Sequence, residues 1–370
     1  MKRNVLYVGV DVDDNAYNAS IYNPLTDETE HFKCRPTPKG LVRSLKKKNL
    51  EASQIKICYE ASYLGYSLQR KLKDFGYICE ITAPSLIPRQ PGFKQKTDKI
   101  DSIKLAKYYA KGLLTFIYIP NEEDESVRDL LRSRQFLVDQ QKKVKNHITS
   151  LCRRLGFHFQ QETGQRKLWT DAHMLWLRKK LKEIKQKSTV INLKVLLKQL
   201  NENLENIDLM NTEIEHIAQV PKYEKKVKAL NAFKGVGNIT ALALISELGD
   251  IKRFEHPNKI TSYAGLDIVE YSSGGKESKY NISKHGSPFL RKAAVDAAKY
   301  YIGSVNVSKS KRDLRASLPP DVVEIANKCG TRLHKKGTRM IFAGKPKKKV
   351  QVACAREFLG FVWAVLNKAA

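Results

Sequence analysis

Four acidic residues in the first third of the chain stand where carboxylates can gather. Asp11 lies near the end of the apolar run VLYVGVDV, and Glu60 ends a second run, IKICYE. Asp98 and Asp101 lie in KTDKIDS, at the i,i+3 spacing that puts two side chains on one face at a helix start. Grouped carboxylates repel one another and need a compensating divalent cation. Two such ions can hold the attacking and leaving oxygens of a phosphodiester.

Each of these acids also has an ordinary structural alternative. An Asp at a strand end often caps a turn, and an Asp at a helix start is favoured by the helix dipole. Asp13 and Asp14 are rival ligands at the first strand, and Asp13 shares the strand face of Asp11 but lies nearer the turn. The cation expected at these carboxylates is Mg²⁺, with Mn²⁺ as the alternative, because both ions suit oxygen ligands.

A second candidate is a serine beside two glycines, in the segment 271–276, YSSGGK. Glycines let the backbone approach a phosphate closely, and Lys276 adds positive charge. A serine here can attack a DNA phosphate and conserve the bond energy in a phosphoserine link. No Ser-His-Asp order is evident, so activation would come from a metal or from an N-terminal carboxylate. A phosphate-binding loop without covalent chemistry is the alternative.

The elements that must position the acids are short strands and helices. Residue patterns predict strands at 5–12, 16–23, 28–34, 55–60 and 77–82, and helices at 38–49, 64–74 and 101–113. Grouped strands followed by strand-helix alternation predict a mixed α/β sheet with helices packed on it.

The middle of the chain has a helical character. In residues 124–156 and 171–219, apolar residues recur at steps of three, four or seven, with charged and amide residues on most other faces. This pattern predicts two long amphipathic helices that form a coiled-coil arm for self-association. A helical subdomain packed on its own chain is the alternative. Trp169, Trp176 and Trp363 are interpreted as core residues of helical segments.

Positive charge is concentrated in the last third of the chain. The net charge is +29, of which residues 1–120 carry +8, residues 121–220 carry +4 and residues 221–370 carry +17. A hydrophobic content of 42% supports folded cores, so the surplus predicts a folded protein that binds a polyanion, most often nucleic acid. A charge that only aids solubility is the alternative.

Two features of this last third predict contacts with nucleic-acid backbone. Residues 229–250 place Gly235 and Gly237 in a turn that resembles a helix-hairpin-helix, in which backbone N–H groups point at a phosphate. A plain helix-helix turn is the alternative. The other feature is a set of cations, for which a solvated loop is the alternative in the basic run 332–349. These cations are Lys284, Arg291, Lys335, Lys336, Arg339, Lys345, Lys347, Lys348 and Lys349. His285 is interpreted as a surface residue, with a catalytic role as the alternative.

Other classes of protein are disfavoured by the sequence. The six cysteines include no CxxC pair, so they are interpreted as reduced thiols rather than as zinc ligands. The sequence has no run of 18 apolar residues, so a transmembrane helix is not expected. It also has no apolar segment behind the first Lys-Arg pair, so a secretory signal is not expected. We therefore expect a cytoplasmic protein that associates with the nucleoid when bound to DNA.

The order of these motifs resembles one family. The blocks GVDV, YEASYLGY and APSLIPRQPGFKQKTDKIDSIKLA resemble the RuvC-like half of the insertion sequence 110 family of transposases, also called DEDD transposases and similar to Piv-type DNA invertases. The last third, with FKGVGNITALALISELGDIKRF, SSGGK and KHGSPFLR, resembles the C-terminal transposase domain of that family. The resemblance covers nearly the whole chain in order.

The resemblance implies roles for the candidate residues. Asp11, Glu60, Asp98 and Asp101 would be the metal-binding acids of an RNase H-like fold, and the catalytic serine would lie in the SSGGK block. We choose Ser273, which directly precedes the glycines, and keep Ser272 as the alternative. The resemblance also implies a bridge-type guide RNA. One departure is VDDN after the first acid, where the family more often has a small or basic residue.

The predicted organisation has three parts. These are a RuvC-like DEDD domain at 1–120, a coiled-coil or helical linker at 121–222, and a mainly helical transposase domain at 223–370. The expected function is RNA-guided, site-specific DNA recombination for a mobile element, by a dimer or tetramer in which acids and serine can come from different subunits. A junction-resolving nuclease that uses metal and water is one alternative, and a non-enzymatic nucleic-acid-binding protein is another.

Overall fold

The protein is described by a computed structural model that covers residues 5–88, 97–273 and 276–369, with only the backbone described for 270–280 apart from Gly274 and Gly275. The chain divides into two compact units, Met1–Ile119 and Pro120–Ala370.

The described part of the first unit contains one five-stranded mixed sheet in the order β3-β2-β1-β4-β5. The first three strands pair antiparallel, whereas β1, β4 and β5 run parallel. The mixed α/β sheet expected from the sequence is therefore confirmed. The strands are β1 (Leu6–Asp11), β2 (Tyr17–Tyr22), β3 (Thr29–Cys34), β4 (Ile55–Glu60) and β5 (Ile78–Thr82).

Helices cover both faces of this sheet. Helices α1 (Pro38–Lys47) and α2 (Ser67–Asp74) bury Leu41, Leu45 and Leu72 in the main core of the unit. Helix α3 (Asp98–Ala110) lies on the opposite face. Thr37 caps the first helix and Thr97 caps the third, each accepting a backbone N–H of the first turn, which fixes where these helices begin.

The second unit contains a long helical arm. Helices α4 (Glu122–Arg154) and α7 (Lys187–Ile217) pack along each other, and α5 (Phe159–Thr163) and α6 (Asp171–Glu183) lie between them in the chain. Late residues of α4 and early residues of α7 pack with Phe159 and Trp176 in one hydrophobic cluster, which we call the arm-tip core. Early residues of α4 and late residues of α7 share another core with the helices that follow, so the two long helices run antiparallel.

The remainder of the second unit is mainly helical around that shared core. The elements are α8 (Pro221–Asn231), α9 (Asn238–Leu248), α10 (Pro257–Tyr263), the hairpin β6 (Ile268–Ser273) and β7 (Lys276–Ile282), α11 (Pro288–Ala298), α12 (Lys309–Ala316), α13 (Pro320–Phe342) and α14 (Lys347–Ala369).

Helix α14 is long and apolar enough, by length and composition alone, to cross a membrane. Val350, Phe358 and Val362 on this helix are fully buried in the core of the second unit. Burial against α8, α10, α11 and α13 is the behaviour expected of a core helix, because these neighbours already cover its apolar surface.

Three predictions made from the sequence were wrong in detail. Residues 171–219 form two helices, because Ile184 adopts an extended backbone and packs into the arm-tip core, which ends α6. Trp169 lies outside any helix, at φ 63° between α5 and α6, although it does pack on that core. Ser272 and Ser273, which the sequence placed in a glycine-rich loop, lie on strand β6 of a β-hairpin.

Candidate active site

Strand β1 presents two different faces. Val8 and Val10 are fully buried in the main core, so the alternation of a strand sends Gly9 and Asp11 to the opposite face. Gly9 has to be glycine because α3 crosses it closely, and a Cβ there would lie 2.2 Å from the carbonyl oxygen of Ser102. Asp11 therefore ends β1 on the face covered by α3.

Glu60 occupies the equivalent position on the neighbouring strand. In β4, Ile57 and Tyr59 are buried in the main core, which sends Cys58 and Glu60 to the α3 face. The strands are parallel, with Val10 paired to Tyr59, so Asp11 and Glu60 each lie one residue further along the chain at the same edge of the sheet.

Helix α3 brings the other two acids to this edge. Asp98 and Asp101 occupy its first turn, as the sequence predicted. Along β2, Asn18 contacts Asp98, Ser20 shares a 2.8 Å hydrogen bond with Ser102, and the Tyr22 ring lies 5.3 Å from Lys107 Nζ. Helix and strand β2 therefore run in the same direction, which puts the start of α3 at the carboxyl end of β1.

Asn18 links the two pairs of acids, and sequence reasoning missed it. It pairs with Asp11 across the β1–β2 ladder, and its Nδ2 donates to Asp98 Oδ2 at 3.3 Å. The Asn18 side chain is buried, and a buried amide N–H needs an acceptor. The Asp98 carboxylate is that acceptor. Its position opposite a candidate acid on the adjacent strand was the available signal. Asp11, Glu60, Asp98 and Asp101 are called the acid edge below.

The acid edge has the right donor chemistry for a hard cation, but its side chains do not form a closed ligand group. Among the residues described, no three His, Cys, Asp or Glu side chains are close enough together to hold a metal ion. The helix start adds the positive end of its dipole, which favours carboxylates there. The fold thus collects the acids at one edge without bringing their oxygens into one coordination sphere.

The rival acids Asp13 and Asp14 lie beyond the end of β1. Asp13 is exposed and accepts the backbone N–H of Asn15 at 2.9 Å, so it stabilises the local turn. A hydrogen bond to Asp14 raises the pKa of Tyr63 to about 12. Asp13 therefore has a partner within the turn between β1 and β2, whereas Asp14 has a partner in the segment between β4 and α2.

The candidate serines lie in the β6–β7 hairpin of the second unit. In the backbone register, Ser273 pairs with Lys276 and Ser272 with Glu277. Gly274 and Gly275 lie outside the described residues, as do the side chains of both serines and of Lys276. Ser273 is therefore the last residue of β6, directly before the two glycines.

Side-chain bonds hold the base of this hairpin. Ser283 Oγ donates to Asp267 Oδ1 at 2.5 Å, and Ser283 N donates to Asp267 O at 2.9 Å. Lys284 then adopts φ 57°, and Arg291 donates to the backbone oxygen of Ala264 at 2.9 Å. Burial lowers the pKa of Arg291. Arg291 thus has a structural role at the hairpin base besides any contact with DNA.

Glu247 is a second residue that the sequence analysis missed. Its side chain is buried, receives two hydrogen bonds from Arg132 at 2.8 and 3.1 Å, and accepts a third from Ser287 Oγ at 2.8 Å. Ser287 also caps α11, where it accepts the Leu290 N–H. This carboxylate joins α4, α9 and the segment that follows the hairpin, so we call these three side chains the Glu247 hub.

A turn with glycines connects α8 and α9, at the place where the sequence suggested a helix-hairpin-helix. Gly235 has φ 78° and Gly237 precedes the first residue of α9. Lys311 donates to the backbone oxygens of Asn231 and Val236, both at 2.6 Å, which clamps the turn from α12. Burial, and next the charge of Arg315, lower the pKa of Lys311 to about 8.

The basic run 332–349 lies mostly on two helices, and Lys345 lies in the short connection between them. Lys335, Lys336 and Arg339 lie on α13 and line an open groove of about 880 Å³, in which Lys336 donates to Glu357 at 2.7 Å. Lys347, Lys348 and Lys349 are exposed in the first turn of α14. Cations in a first turn oppose the helix dipole, so helix stability alone does not account for them.

Comparisons with known proteins agree with this architecture. Residues 8–156 match the family DEDD_Tnp_IS110, described as "Transposase", and residues 227–314 match the "Transposase IS116/IS110/IS902 family".

Relatives match over most of the chain. The "Putative transposase y4qE" of Sinorhizobium fredii is 31% identical over 330 residues, which cover 89% of this chain and 80% of the relative. The "Transposase for insertion sequence element IS1533" of Leptospira borgpetersenii is 31% identical over 359 residues, covering 94% and 99%. The "Transposase for insertion sequence element IS1111A" of Coxiella burnetii is 23% identical over 219 residues, covering 59% and 58%.

These matches define the class of protein as a DNA transposase, an enzyme that cleaves and rejoins DNA. The chain belongs to the IS110 family of insertion-sequence transposases. The family resemblance and the enzyme class expected from the sequence are thereby confirmed. Membership of a DEDD family also suggests dependence on a divalent metal.

Proposed function

We propose that this transposase cleaves DNA by attack of Ser273 on a backbone phosphate, with the acid edge as its divalent-metal site. The observation that carries the proposal is the collection of Asp11, Glu60, Asp98 and Asp101 at one edge of one sheet face. Their residue types and the family agree with this role. Ser273 is proposed from its position directly before the glycine pair, with Ser272 as the alternative.

The proposed serine step is a phosphoryl transfer. The Ser273 hydroxyl oxygen forms a bond to phosphorus, and the bond from phosphorus to the leaving sugar oxygen breaks. The serine proton passes to a base, and the leaving oxygen takes up a proton. Because the phosphoserine link conserves the bond energy, a sugar hydroxyl of another strand can reverse the step and join the strands.

The acids would act on the charge of the phosphate. Asp11, Glu60, Asp98 and Asp101 would hold Mg²⁺, or Mn²⁺ as the alternative, and a bound cation stabilises charge that develops on phosphate oxygens. Asn18 would keep the Asp98 carboxylate oriented through its 3.3 Å hydrogen bond.

The positive charge of the second unit supports a role in holding DNA. The proposed backbone contacts combine the glycine turn between α8 and α9, the hairpin segment and the cations of α13 and α14. The residues are Gly235, Gly237, Lys276, Lys284, Arg291, Lys335, Lys336, Arg339, Lys347, Lys348 and Lys349.

The resemblance extends the proposal to guidance and assembly. A bridge-type RNA would select the target by base pairing, leaving the protein to read backbone shape. Cutting two duplexes needs several active sites, so a dimer or tetramer is expected, with the arm of α4 and α7 as a contact between copies. A bacterial, cytoplasmic location belongs to the same proposal.

A covalent-trapping assay tests the chemistry. The full chain is incubated with labelled element-end DNA, the element-encoded RNA and Mg²⁺, then denatured, and the DNA-linked protein is measured on a gel. We expect a linked band that is lost in both Ser273→Ala and Asp11→Ala, because one variant removes the nucleophile and the other a metal ligand. Glu255→Gln, at an exposed position, is the matched control and keeps the band.

The other outcomes are equally informative. A band that survives Ser273→Ala and vanishes in Ser272→Ala moves the nucleophile by one residue. Cleavage without any linked band contradicts the serine mechanism and favours a junction-resolving nuclease that uses metal and water. A band that forms equally well without RNA contradicts the need for a guide.

A further inference from the structure

The face of the first unit that lies away from the acid edge carries a group of cations. Lys39, Arg43, Lys46 and Lys47 are exposed on α1, and together with Phe75 they line an open groove of about 480 Å³. We call these five residues the α1 patch.

The charge of the α1 patch is not balanced by its own helix. The ten residues of α1, PKGLVRSLKK, include no Asp or Glu. Lys46 and Lys47 lie in the last turn, where the helix dipole favours cations, but Lys39 lies in the first turn, where the dipole opposes it. Lys39, Arg43 and Lys46 recur at steps of four and three, so they lie along one side of the helix.

Phe75 adds an aromatic surface to these cations. It directly follows α2, is 40% exposed, and is not part of the core that Leu72 and Tyr77 enter on either side of it. An exposed aromatic ring among cations suits a strand with unpaired bases, because a base can stack on the ring while the cations hold phosphates. A paired duplex would keep its bases stacked internally and offer only phosphates.

The α1 patch and the acid edge are separated by the sheet. Leu41 and Leu45 of α1 pack on the face that carries Val8 and Val10, whereas Gly9 and Asp11 face α3. A phosphate held at the α1 patch is therefore not the phosphate that lies at the acid edge of the same unit.

We propose that the α1 patch is a binding site for an unpaired stretch of nucleic acid, with a base stacked on Phe75 and phosphates held by Lys39, Arg43, Lys46 and Lys47. The inference rests on the nucleic-acid chemistry of the family. It is independent of the serine mechanism and of any guide RNA.

The test uses a fluorescent reporter in the full chain. Phe75→Trp keeps an aromatic ring, and its emission is measured in EDTA, which prevents metal-dependent cleavage, while a mixed-sequence 12-nucleotide single strand is added. The signal of the three native tryptophans is subtracted with the wild-type protein. Leu25→Trp, at an exposed position in the same unit, is the matched control.

We expect saturable quenching at position 75 by single strands and none at position 25. Adding Lys39→Gln and Arg43→Gln to the reporter should reduce the slope of log affinity against log salt by about 1.4, since each phosphate contact on a single strand contributes about 0.7. Lys179→Gln with Lys194→Gln removes the same charge from exposed positions on α6 and α7 and should leave the slope unchanged. In a protein without the reporter, Phe75→Ala should weaken binding of a labelled strand at this site about 5- to 160-fold relative to wild type.

The arms of the experiment separate the possible results. The same 12-mer is tested as RNA and as DNA, and the tighter of the two identifies the source of the strand. No quenching at position 75, or quenching by a 12-base-pair duplex as strong as by single strands, overturns the proposal. Cleavage by the wild-type protein without any DNA-linked band, together with intact quenching at position 75, would instead contradict only the serine mechanism.

Discussion

The acid edge and the β6–β7 hairpin are positioned by different kinds of interaction. The acid edge depends on strand alternation and on the close crossing of α3 over Gly9, so backbone geometry largely decides where its carboxylates lie. The hairpin is held at its base by side-chain bonds, from Asp267 to Ser283 and through the Glu247 hub. The position of the acid edge follows from backbone packing, whereas the side-chain hydrogen bonds that hold the hairpin can be removed one at a time. Substitutions should therefore affect the acid edge and the hairpin differently.

The largest expected effect on folding comes from Gly9→Ala. Its Cβ would meet the Ser102 carbonyl oxygen at 2.2 Å and the Ala106 nitrogen at 2.5 Å, so α3 has to move away from the sheet. We expect a loss of about 3 kcal/mol in the unfolding free energy of the first unit, the upper end of the usual cost of overpacking. Urea unfolding followed by circular dichroism measures it.

Gly303→Ala is the control for this substitution, because no heavy atom lies within 4 Å of the added Cβ. A Gly9→Ala protein as stable as wild type would show that α3 is not held against β1, and the account of the acid edge would fail.

A smaller effect is expected from Glu247→Gln, which addresses the hairpin. Gln has one accepting oxygen where Glu247 has two, so its amide cannot accept all three hydrogen bonds from Arg132 and Ser287, and its NH₂ group would face a donor in a buried polar network. We expect the second unit to lose about 1–3 kcal/mol of stability. Covalent trapping should fall while the unfolding transition of the first unit stays unchanged.

The measurement is thermal unfolding of the full chain beside the trapping assay, with Glu255→Gln as the exposed control. Equal destabilisation of both transitions would contradict the separation between the two regions.

The smallest expected effect is the pH dependence that Lys311 gives to the glycine turn. Its folded pKa of about 8 lies below its ordinary value of 10.5, because burial of its Nζ, and next the charge of Arg315, disfavour the ammonium form. Between these values the unfolded chain binds more protons, so this group makes stability rise as pH increases from about 8 to 10.5.

We therefore expect the stability of wild type relative to Lys311→Met to increase between pH 7 and pH 10, as measured by thermal unfolding at several pH values. Lys225→Met, at an exposed position on α8, is the control. A wild-type advantage that stays flat or falls with pH would contradict the buried state of Lys311.

Features that depend on local sequence were predicted correctly, whereas residues that act through distant partners were missed. The five strands were predicted because residue alternation is a local property, and the i,i+3 spacing of Asp98 and Asp101 correctly indicated a helix start, although the helix was predicted at 101–113 and begins at Asp98. Asn18 and Glu247 were missed because their partners, Asp98 and Arg132, lie 80 and 115 residues away in the chain. No local pattern distinguishes a buried Glu that binds an Arg from any other Glu within an apolar helix.

Local sequence also failed to predict that α6 ends at Ile184 and that the basic residues after Leu333 continue a helix. Ile184 ends α6 because the arm-tip core buries it, and that core also contains residues of α4 and α7. Lys335, Lys336 and Arg339 continue α13 because the other side of that helix buries Cys329 and Leu333 against α14. In both places a tertiary contact decided a local conformation that propensity left open.

By itself, the sequence determined the order of elements, the residue types able to bind a divalent cation, the excess of positive charge and the family. These follow from local periodicity, composition and the order of motifs. Only the tertiary structure decided that the four acids share one edge, that Asn18 and Glu247 support the two candidate regions, and that the α1 patch lies on the other side of the sheet. Those properties depend on which residues, distant in the chain, burial brings into contact, and no local pattern encodes that contact.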